Sequence, residues 1–448
     1  MKFRLTLTAT VLLGAVSLEA HAQQPWLADR RYGEGVGVRV GNLELHPGVS
    51  GEVGYDSNYF LRAAADAPPP DASYRLRVTP SITVSTLGTQ RLEANGSPAP
   101  QSLTFHGGAY AAYNELIAAQ SKNSTEFADQ RHVDLGADLA LNIAPQSRVG
   151  ADTSLNFVRM VQPSNDPSTE NAFNRDTLRA GAGATWRPGG GLFDWRLGYE
   201  FQYNYFEKSG FSDLNNYQNT VNMRGRWRFL PRTAVLYDGG YTWITYGSNR
   251  THGDGAIVRS QIGLNGLITT RLSLLAMVGW AGTFYDTTRQ PQQFDSVTAQ
   301  AELKWFISGG AENLNPASAP VGLSYTSIGY TRDVSNSYLG NFYQRDRGYV
   351  GLSYLLGGVF VTSLTAGIAN LSFPTSNVPG ATEPVTAFSE QRVDAKLFGE
   401  YRLSNTFGLN ATVGYDQNIT GKVINLGDGA DHLEYSRWQI FLGARYFL

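Results

Sequence analysis

Arginines spaced two residues apart are the feature of this sequence that most clearly suggests chemistry. Arg224, Arg226 and Arg228 alternate with Gly225 and Trp227, and other segments repeat the pattern. Alternate residues of a β-strand point to one face, so each segment would present a row of cations on one side. The residues predicted to share this inner face are Arg75, Arg77, Arg196, Glu200, Arg224, Arg226, Arg228, Arg392, Asp394, Lys396, Glu400, Arg402, Arg437 and Arg445.

The acidic residues of this face are fewer than the basic ones, which leaves two interpretations open. Opposite charges on neighbouring strands stabilise a sheet, so the arginines could form a ladder of ion pairs. Alternatively, a guanidinium binds carboxylate and phosphate oxygens, so unpaired arginines could contact anionic groups of a passing solute. The further charged residues predicted on this face are Arg179, Arg187, Glu52, Asp134, Asp138, Asp152 and Asp194.

Acidic residues are instead frequent in the polar connecting segments. They are Asp56, Asp66, Asp71, Asp166, Glu170, Asp213, Asp286, Asp333, Asp428 and Asp431. None of these segments has the regular ligand spacing of a calcium-binding loop, so we expect solvated loops. The two charge distributions together predict a mildly basic wall beneath an acidic mouth.

Enzyme chemistry finds little support in the other polar residues. The sequence contains no Cys, and no two of its histidines after His21 have metal-ligand spacing. His132 lies near Ser124 and Asp134, but a strand places His132 and Asp134 on one face without any catalytic role. No glycine-rich segment follows a buried strand and opens a helix, as a phosphate-binding loop does. We therefore predict no enzymatic activity, no cofactor and no metal site.

The segments that carry the charged rows have the two-residue period of β-strands. From Phe193 to Tyr205 every second residue is apolar or aromatic, and the residues between them are polar or glycine. Wrapped as a helix, the same residues would scatter charges around an apolar surface. Comparable segments run for about 9–12 residues, the length that a tilted strand needs to cross the hydrocarbon of a membrane.

Short and long connections alternate along the chain. Short turns are predicted at 144–146, 189–191, 230–232, 269–271, 357–358 and 404–405, with two longer ones at 88–101 and 309–320. Longer polar loops are predicted at 207–219, 246–255, 285–293, 330–347, 374–390 and 416–434. Transmembrane barrels have this asymmetry between their two sides. We predict an all-β fold, a transmembrane antiparallel up-and-down β-barrel of about 18 strands with both termini in the periplasm.

The N-terminal residues have the pattern of a secretory signal. Lys2 and Arg4 precede an apolar stretch, and Ala20-His21-Ala22 forms the small-x-small site that signal peptidase cleaves. We expect residues 1–22 to be this signal peptide, residues 23–44 a short periplasmic tail or plug, and residues 45–448 the barrel. The mean hydropathy of −0.26 suits a barrel, since only alternate residues meet lipid. A net charge of −2 offers no electrostatic attraction for nucleic acid.

The C-terminal segment has the same alternation and ends on an apolar residue. Its apolar face contains Trp438, Ile440, Leu442, Ala444, Tyr446 and Leu448. The segment resembles the C-terminal signal by which barrel proteins are handed to the outer-membrane insertion machinery. Leu448 stands where that signal usually has Phe, and Phe447 precedes it.

Two segments resemble a family of outer-membrane β-barrel porins that is associated with exopolysaccharide export. One runs from Leu45-His46-Pro47 to the sequence Tyr-Asp-Ser-Asn-Tyr-Phe at 55–60, and the other combines residues 330–333 with 345–355. The chain is also similar to the polysaccharide-translocating barrels of myxobacteria. The resemblance implies a polysaccharide cargo that a separate periplasmic export protein delivers to the barrel.

The resemblance favours an outer-membrane conduit that translocates a secreted polysaccharide to the cell surface. Two alternatives stay open: a diffusion porin for small solutes, anionic ones among them, and a structural or adhesive barrel without an open pore. Barrels of about 16–18 strands enclose an aqueous channel, which counts against the last. A general porin usually folds a long loop into its lumen, so the loops should separate the first two. The expected partners are outer-membrane lipid, the polysaccharide, the periplasmic export protein and the barrel insertion machinery.

Overall fold

The structure is a computed structural model that describes most of the chain. It describes residues 37–66, 69–87, 102–120, 124–128, 130–163, 172–189, 191–207, 209–247, 253–285, 293–308, 324–337, 342–357, 359–376, 383–426 and 429–448. The predicted signal peptide, most of the predicted tail and the two longer turns, at 88–101 and 309–320, lie outside these ranges.

Antiparallel strands make up nearly all of the described chain. They are β1 (Val38–Val40), β2 (Leu43–Asp56), β3 (Ser73–Thr86), β4 (Leu103–Ala118), β5 (His132–Ile143), β6 (Val149–Pro163), β7 (Ala172–Trp186), β8 (Phe193–Phe206), β9 (Asn216–Leu230), β10 (Thr233–Tyr246), β11 (Gly255–Leu267), β12 (Leu272–Tyr285), β13 (Asp295–Ser308), β14 (Ser324–Asn336), β15 (Phe342–Leu356), β16 (Phe360–Phe373), β17 (Phe388–Arg402), β18 (Phe407–Ile419), β19 (Val423–Leu426), β20 (Gly429–His432) and β21 (Tyr435–Phe447). The helical segments are α1 (Ser124–Ala128) and a 3-10 helix at Ser209–Leu214. None of the described helices has the length and apolar character needed to cross a bilayer.

Eighteen of these strands, β2 to β18 together with β21, form a closed barrel. Each strand pairs with its neighbours along the chain, and β2 pairs with β3 on one side and with β21 on the other. The closing register runs from Gly48 opposite Phe447 to Asp56 opposite Gln439. This confirms the predicted antiparallel up-and-down barrel and its strand number.

The two faces of the strands differ as the alternation predicts. On β6 the side chain of Leu155 is 46% exposed, and similar apolar side chains form a belt around the outside of the barrel. Exposed aromatic residues flank this belt at both ends of the strands. They are Tyr55, Tyr74, Tyr205, Tyr217, Phe284 and Trp438 at one end, and Trp186, Phe229, Trp305, Tyr401 and Tyr446 at the other. An apolar belt between two aromatic girdles is the surface that a barrel presents to lipid, so we treat the barrel as membrane-spanning.

Most short turns occur where they were predicted, and one predicted loop is wrong. Strands meet closely around residues 144–148, 231–232 and 403–406. At the β15–β16 turn Gly357 has a φ of 58°, a left-handed conformation that favours glycine. By contrast, much of the predicted loop at 330–347 belongs to β14 and β15. Its polar residues suggested a loop, but strands that project beyond the bilayer have water on both faces and need no apolar side.

The two ends of the barrel differ in their connections. The "turn end" has the short connections and the C-terminus, and the "loop end" has the connections after β2, β4, β8, β10 and β18. The connection after β18 contains the small hairpin of β19 and β20.

Charge placed on the outer face of β6 should destabilise the barrel far more than charge placed on its inner face. Leu155→Arg puts a cation near the middle of the lipid belt and should lower the free energy of unfolding by about 2–4 kcal/mol. Ser154→Arg is the matched control, because Ser154 lies at the same depth on the inner face and is exposed there. Urea unfolding in lipid vesicles measures both. Equal losses at the two positions would show that the faces are reversed.

Candidate functional site

Arg196 shows how the inner wall organises its charges. It lies on β8, and its Nη2 atom is 2.6 Å from Oδ2 of Asp152 on β6, two strands away. The path crosses β7 at Gly183, where a Cβ would collide with the guanidinium group. Arg196 also donates to Asn222 on β9 at 2.9 Å. Glycine on the intervening strand therefore allows an ion pair to reach across it.

A second pair uses the same arrangement. Arg347 on β15 extends over Gly367 on β16 to Asp394 on β17, with a distance of 2.6 Å from Nη2 to Oδ2. Alternation in the sequence placed Arg196, Asp152 and Asp394 on one face, whereas Arg347 fell in the predicted loop at 330–347. It did not show pairing across an intervening strand. The sequence did contain one signal of this pairing, the glycine on the inner face of the intervening strand, which is Gly183 in the first pair and Gly367 in the second.

Most of the other predicted inner-face arginines are also ion-paired. Arg226 binds Asp194, which lies directly opposite it on β8, and Nε of Arg224 is 3.2 Å from Oδ2 of Asp238 on β10. Arg228, exposed near the turn end, has no ion pair with any described residue. The arginines of β9 therefore do not form a continuous row of free cations.

The strands next to the closure contain a denser group of charges. Glu400 accepts hydrogen bonds from Arg445 and Arg402, and Nε of Arg392 lies 3.4 Å from Oε1 of Glu390. Arg437 of the last strand binds Asp56 of the first barrel strand. In these cases the structure agrees with the ladder interpretation.

Four predicted inner-face residues differ in how they are bound. Nη1 of Arg77 is 3.4 Å from Oε2 of Glu52, and its Nε donates to Asn114 at 3.0 Å. The guanidinium carbon of Arg75 lies 4.4 Å from the ring centroid of Phe441. Within the part of the chain that the structure describes, neither Lys396 nor Glu200 has an ion pair.

Three acids of the predicted acidic mouth that the structure describes are paired with arginines. Asp56 is buried against Arg437, Asp71 accepts a hydrogen bond from Arg62 at 2.8 Å, and Asp333 lies in β14 paired with Arg345. Asp56 and Asp333 are neutralised by an arginine on another strand, and Asp71 is neutralised by an arginine of the same connection. Asp166, Glu170, Asp286 and Asp428 lie outside the described residues.

The connection between β2 and β3 folds into the barrel instead of extending into solvent. We call its described residues, 57–66 and 69–72, the mouth loop. Tyr59, Phe60, Leu61 and Arg62 are each 1% exposed or less. Tyr59 and Phe60 pack against Leu116 on the inner face of β4, and Asn58 is hydrogen-bonded to the Ser436 carbonyl of β21, so the loop lies inside the barrel. Burial raises the pKa of the Tyr59 hydroxyl well above its usual value.

Hydrogen bonds hold the mouth loop in this position. The Asn58 side-chain amide donates to the carbonyl oxygen of Arg62 at 2.8 Å and to that of Ser436 at 3.1 Å, and its Oδ1 accepts from the Arg62 amide at 3.0 Å. Leu61 adopts a φ of 57°, a left-handed conformation that costs a non-glycine residue about 1–2 kcal/mol. The surrounding contacts must outweigh this strain.

An aromatic cluster joins the mouth loop to the connection between β4 and β5. The ring of Phe127 in α1 lies 4.9 Å from Phe60 and 5.9 Å from Tyr59, measured between centroids. Leu116 on the inner face of β4 completes the cluster. The Arg62 guanidinium carbon lies over the Phe60 ring, 4.5 Å from its centroid. Two loops therefore form one wedge that narrows the loop end of the barrel.

Further contacts constrain the loop end elsewhere. Nδ1 of His432, at the end of β20, is 2.8 Å from Oδ1 of Asp66 in the mouth loop. On another part of the wall, the Asn336 amide lies between the hydroxyl groups of Tyr246 and Tyr285. These contacts connect segments that are far apart in sequence. Sequence reasoning missed the mouth loop, although its signal was three consecutive apolar residues, Tyr59 to Leu61, in a polar connection.

The histidine and acid that could have suggested catalysis have structural contacts. Nε2 of His132 is 3.7 Å from Oδ2 of Asp134, which also accepts hydrogen bonds from Asn114 and from the Val161 amide. Among the described residues, no three His, Asp or Glu side chains are grouped so that they could hold a metal ion.

Comparisons with known proteins give similarity only at the level of solved structures. No family model and no curated protein matches the chain. The FrpB iron transporter of Neisseria meningitidis (F5-1 variant) is 9% identical and covers 92% of this chain and 82% of its own, with a TM-score of 0.46. Pseudomonas aeruginosa OccK5 (OpdH) is 8% identical and covers 90% of this chain and 98% of its own, with a TM-score of 0.45. A mutant of the Pseudomonas aeruginosa ferric enterobactin receptor, PfeA, is 9% identical and covers 90% and 80%, with a TM-score of 0.44.

Removal of the Asp56 carboxylate should destabilise the closure between the first and last strands. Asp56→Ala leaves the Arg437 guanidinium without its partner in a buried site, which costs about 3–5 kcal/mol of unfolding free energy. Glu200→Ala is the control, since Glu200 is exposed on the inner face, and should cost less than about 1 kcal/mol. Urea unfolding in detergent or vesicles measures both values. A loss at Asp56 no larger than that at Glu200 would contradict a closing role for the pair.

Proposed function

We propose that this chain is a diffusion pore of the outer membrane for small solutes. The observation that carries the proposal is the mouth loop, which is buried inside the barrel at its loop end. Barrels of about 16–18 strands enclose an aqueous channel. A loop folded into such a channel reduces its cross-section, and this sets an upper limit on the size of the solute.

The inner wall supports an aqueous lumen beyond the mouth loop. The side chains of Arg224 and Asp238 form an ion pair in the wall, yet they remain 67% and 42% exposed. The side chain of Asp138 is 49% exposed. Charged groups retain this exposure only where open space adjoins them, and water would fill such a polar space. Exposure of this kind favours a pore over a purely structural barrel.

The membrane and the orientation are part of the same proposal. A closed antiparallel barrel with an apolar belt and two aromatic girdles is the design of outer-membrane proteins. We propose that the turn end and both termini lie in the periplasm and that the loop end faces the exterior. The C-terminal strand would then serve as the signal for the barrel insertion machinery, and lipid would cover the belt.

Translocation of a polysaccharide is the second candidate. Its support is the sequence likeness at Tyr55 to Phe60, where Asp56 binds Arg437 of the last strand and Asn58 and Phe60 have defined contacts of the mouth loop. A polymer would require the mouth loop to move aside, and a separate periplasmic export protein would have to deliver it. The buried contacts of the loop make this candidate the weaker of the two.

Replacement of the buried part of the mouth loop should enlarge the channel. A variant in which residues 59–65 are replaced by a flexible glycine-serine segment of equal length loses the aromatic wedge, so its single-channel conductance in planar bilayers should rise. The same replacement at residues 404–406, a turn at the opposite end, should leave conductance unchanged. An unaltered conductance in the first variant would show that the mouth loop does not limit the pore.

Deletion of the gene separates the two candidates. A diffusion pore predicts slower uptake of small solutes with normal surface polysaccharide in the deletion strain. Loss of surface polysaccharide with normal solute uptake would instead favour translocation of the polymer. Staining of surface polysaccharide and uptake of a small radiolabelled solute, measured in the same strains, give the answer.

A further inference from the structure

Two cations of the inner wall differ from the ion-paired arginines described above. Arg75 lies on β3 and Lys396 on β17, and neither has an ion pair or a hydrogen bond with any residue that the structure describes. The Nε atom of Arg75 is buried without a partner. Both side chains are only partly exposed, unlike Arg228 near the turn end, which water can solvate freely.

Phe441 holds the Arg75 guanidinium in a defined position. Gly54 on β2 is directly opposite Arg75 on one side and directly opposite Phe441 on the other. The Phe441 ring covers this glycine, where a Cβ would collide with it. The guanidinium carbon of Arg75 then lies 4.4 Å from the ring centroid, and that of Arg77 lies 6.0 Å from it. Stacking of this kind orients a guanidinium while its hydrogen-bond donors stay available.

The carboxylates close to Arg75 and Lys396 are already bound to other cations. Arg75 and Arg77 both lie at the ring of Phe441 on β21. Lys396 is opposite Gly414 of β18, which is opposite Gln439, the inner-face residue next to Phe441 on β21. Glu52 is paired with Arg77, and Asp56 accepts a hydrogen bond from Arg437 at 2.9 Å. This part of the wall therefore contains positive charge that its own acids do not neutralise.

The same two cations lie where a solute would pass after the mouth loop. Arg75 is the third residue of β3, the strand that directly follows the mouth loop, so it lies on the inner wall close to the loop. We propose that Arg75 and Lys396 form a binding site for an oxyanion, namely a carboxylate, phosphate or sulfate group of a small solute. The guanidinium would donate two hydrogen bonds to the anion and the ammonium would add a second positive charge. This inference rests on the proposed pore, whose substrates it narrows to anions.

Charge-neutralising variants test the site directly. Arg75→Gln and Lys396→Gln should each weaken binding of inorganic phosphate to the folded protein in detergent by about tenfold, the loss expected for a charge-assisted hydrogen bond. Arg228→Gln removes an equal charge near the turn end and should leave phosphate binding unchanged. Arg75→Lys retains the charge without the planar fork and should bind phosphate with intermediate affinity. Isothermal titration calorimetry measures binding, and heat-dependent gel mobility verifies that each variant is folded.

Ion selectivity provides a second and independent measurement. In a potassium chloride gradient across a planar bilayer, the reversal potential of the wild type should indicate a preference for chloride over potassium. The double variant Arg75→Gln/Lys396→Gln should have a reversal potential closer to zero. Conduction without anion preference, together with unchanged phosphate binding in both variants, would overturn the anion site and leave the pore intact. If the wild-type barrel binds phosphate but does not conduct, and the variants lose phosphate binding, the anion site is supported and the pore is overturned.

Discussion

The pairing of the first barrel strand with the last is the constraint on which the rest of the structure depends. β2 and β21 join over residues 48–56 and 439–447, and Leu448 donates its amide to the Pro47 carbonyl at 3.0 Å. Without this closure both strands would have unpaired backbone groups, which a bilayer cannot satisfy. Closure also separates the lumen from the lipid. Successive side chains of each strand therefore face the lumen and the lipid in turn.

Charge pairing stabilises the inside of the barrel under conditions unlike those of a soluble core. Arg196 and Arg347 each reach across a glycine to an aspartate two strands away, which links three strands by side chains as well as by the backbone. Pairs such as Arg224 and Asp238 remain partly solvated, so their contribution to stability is modest. Loss of one partner from a buried pair such as Arg437 and Asp56 destabilises the fold more, since the remaining charge would be buried without a partner or water. Against this paired background, Arg75 and Lys396 are a local excess of positive charge.

The mouth loop explains a short sequence pattern in physical terms. In the segment Tyr55 to Phe60, Asp56 binds the last strand and Phe60 packs in the aromatic wedge. Asn58 closes a turn with Arg62 through two hydrogen bonds and donates a third to the Ser436 carbonyl. These contacts turn the chain inward immediately after the first barrel strand. The segment that resembles the porin family thus has a structural role in this chain.

Sequence alone determined the fold class, the strand number and the two faces, because a period of two and a strand length suited to the bilayer are local properties. The outward position of Leu155 and Leu197 follows directly from that period. The ion-pair partners of charged residues in the lumen were not predictable from the sequence. Arg196 reaches Asp152 across β7 because Gly183 leaves space there, and the sequence does not show which residues of neighbouring strands are opposite one another. The polar stretch at 330–347 was misassigned because residues beyond the bilayer do not need an apolar face. Tertiary structure alone placed Tyr59 to Leu61 inside the barrel, because their burial depends on β4, α1 and β21, which come together around the loop only in the closed barrel.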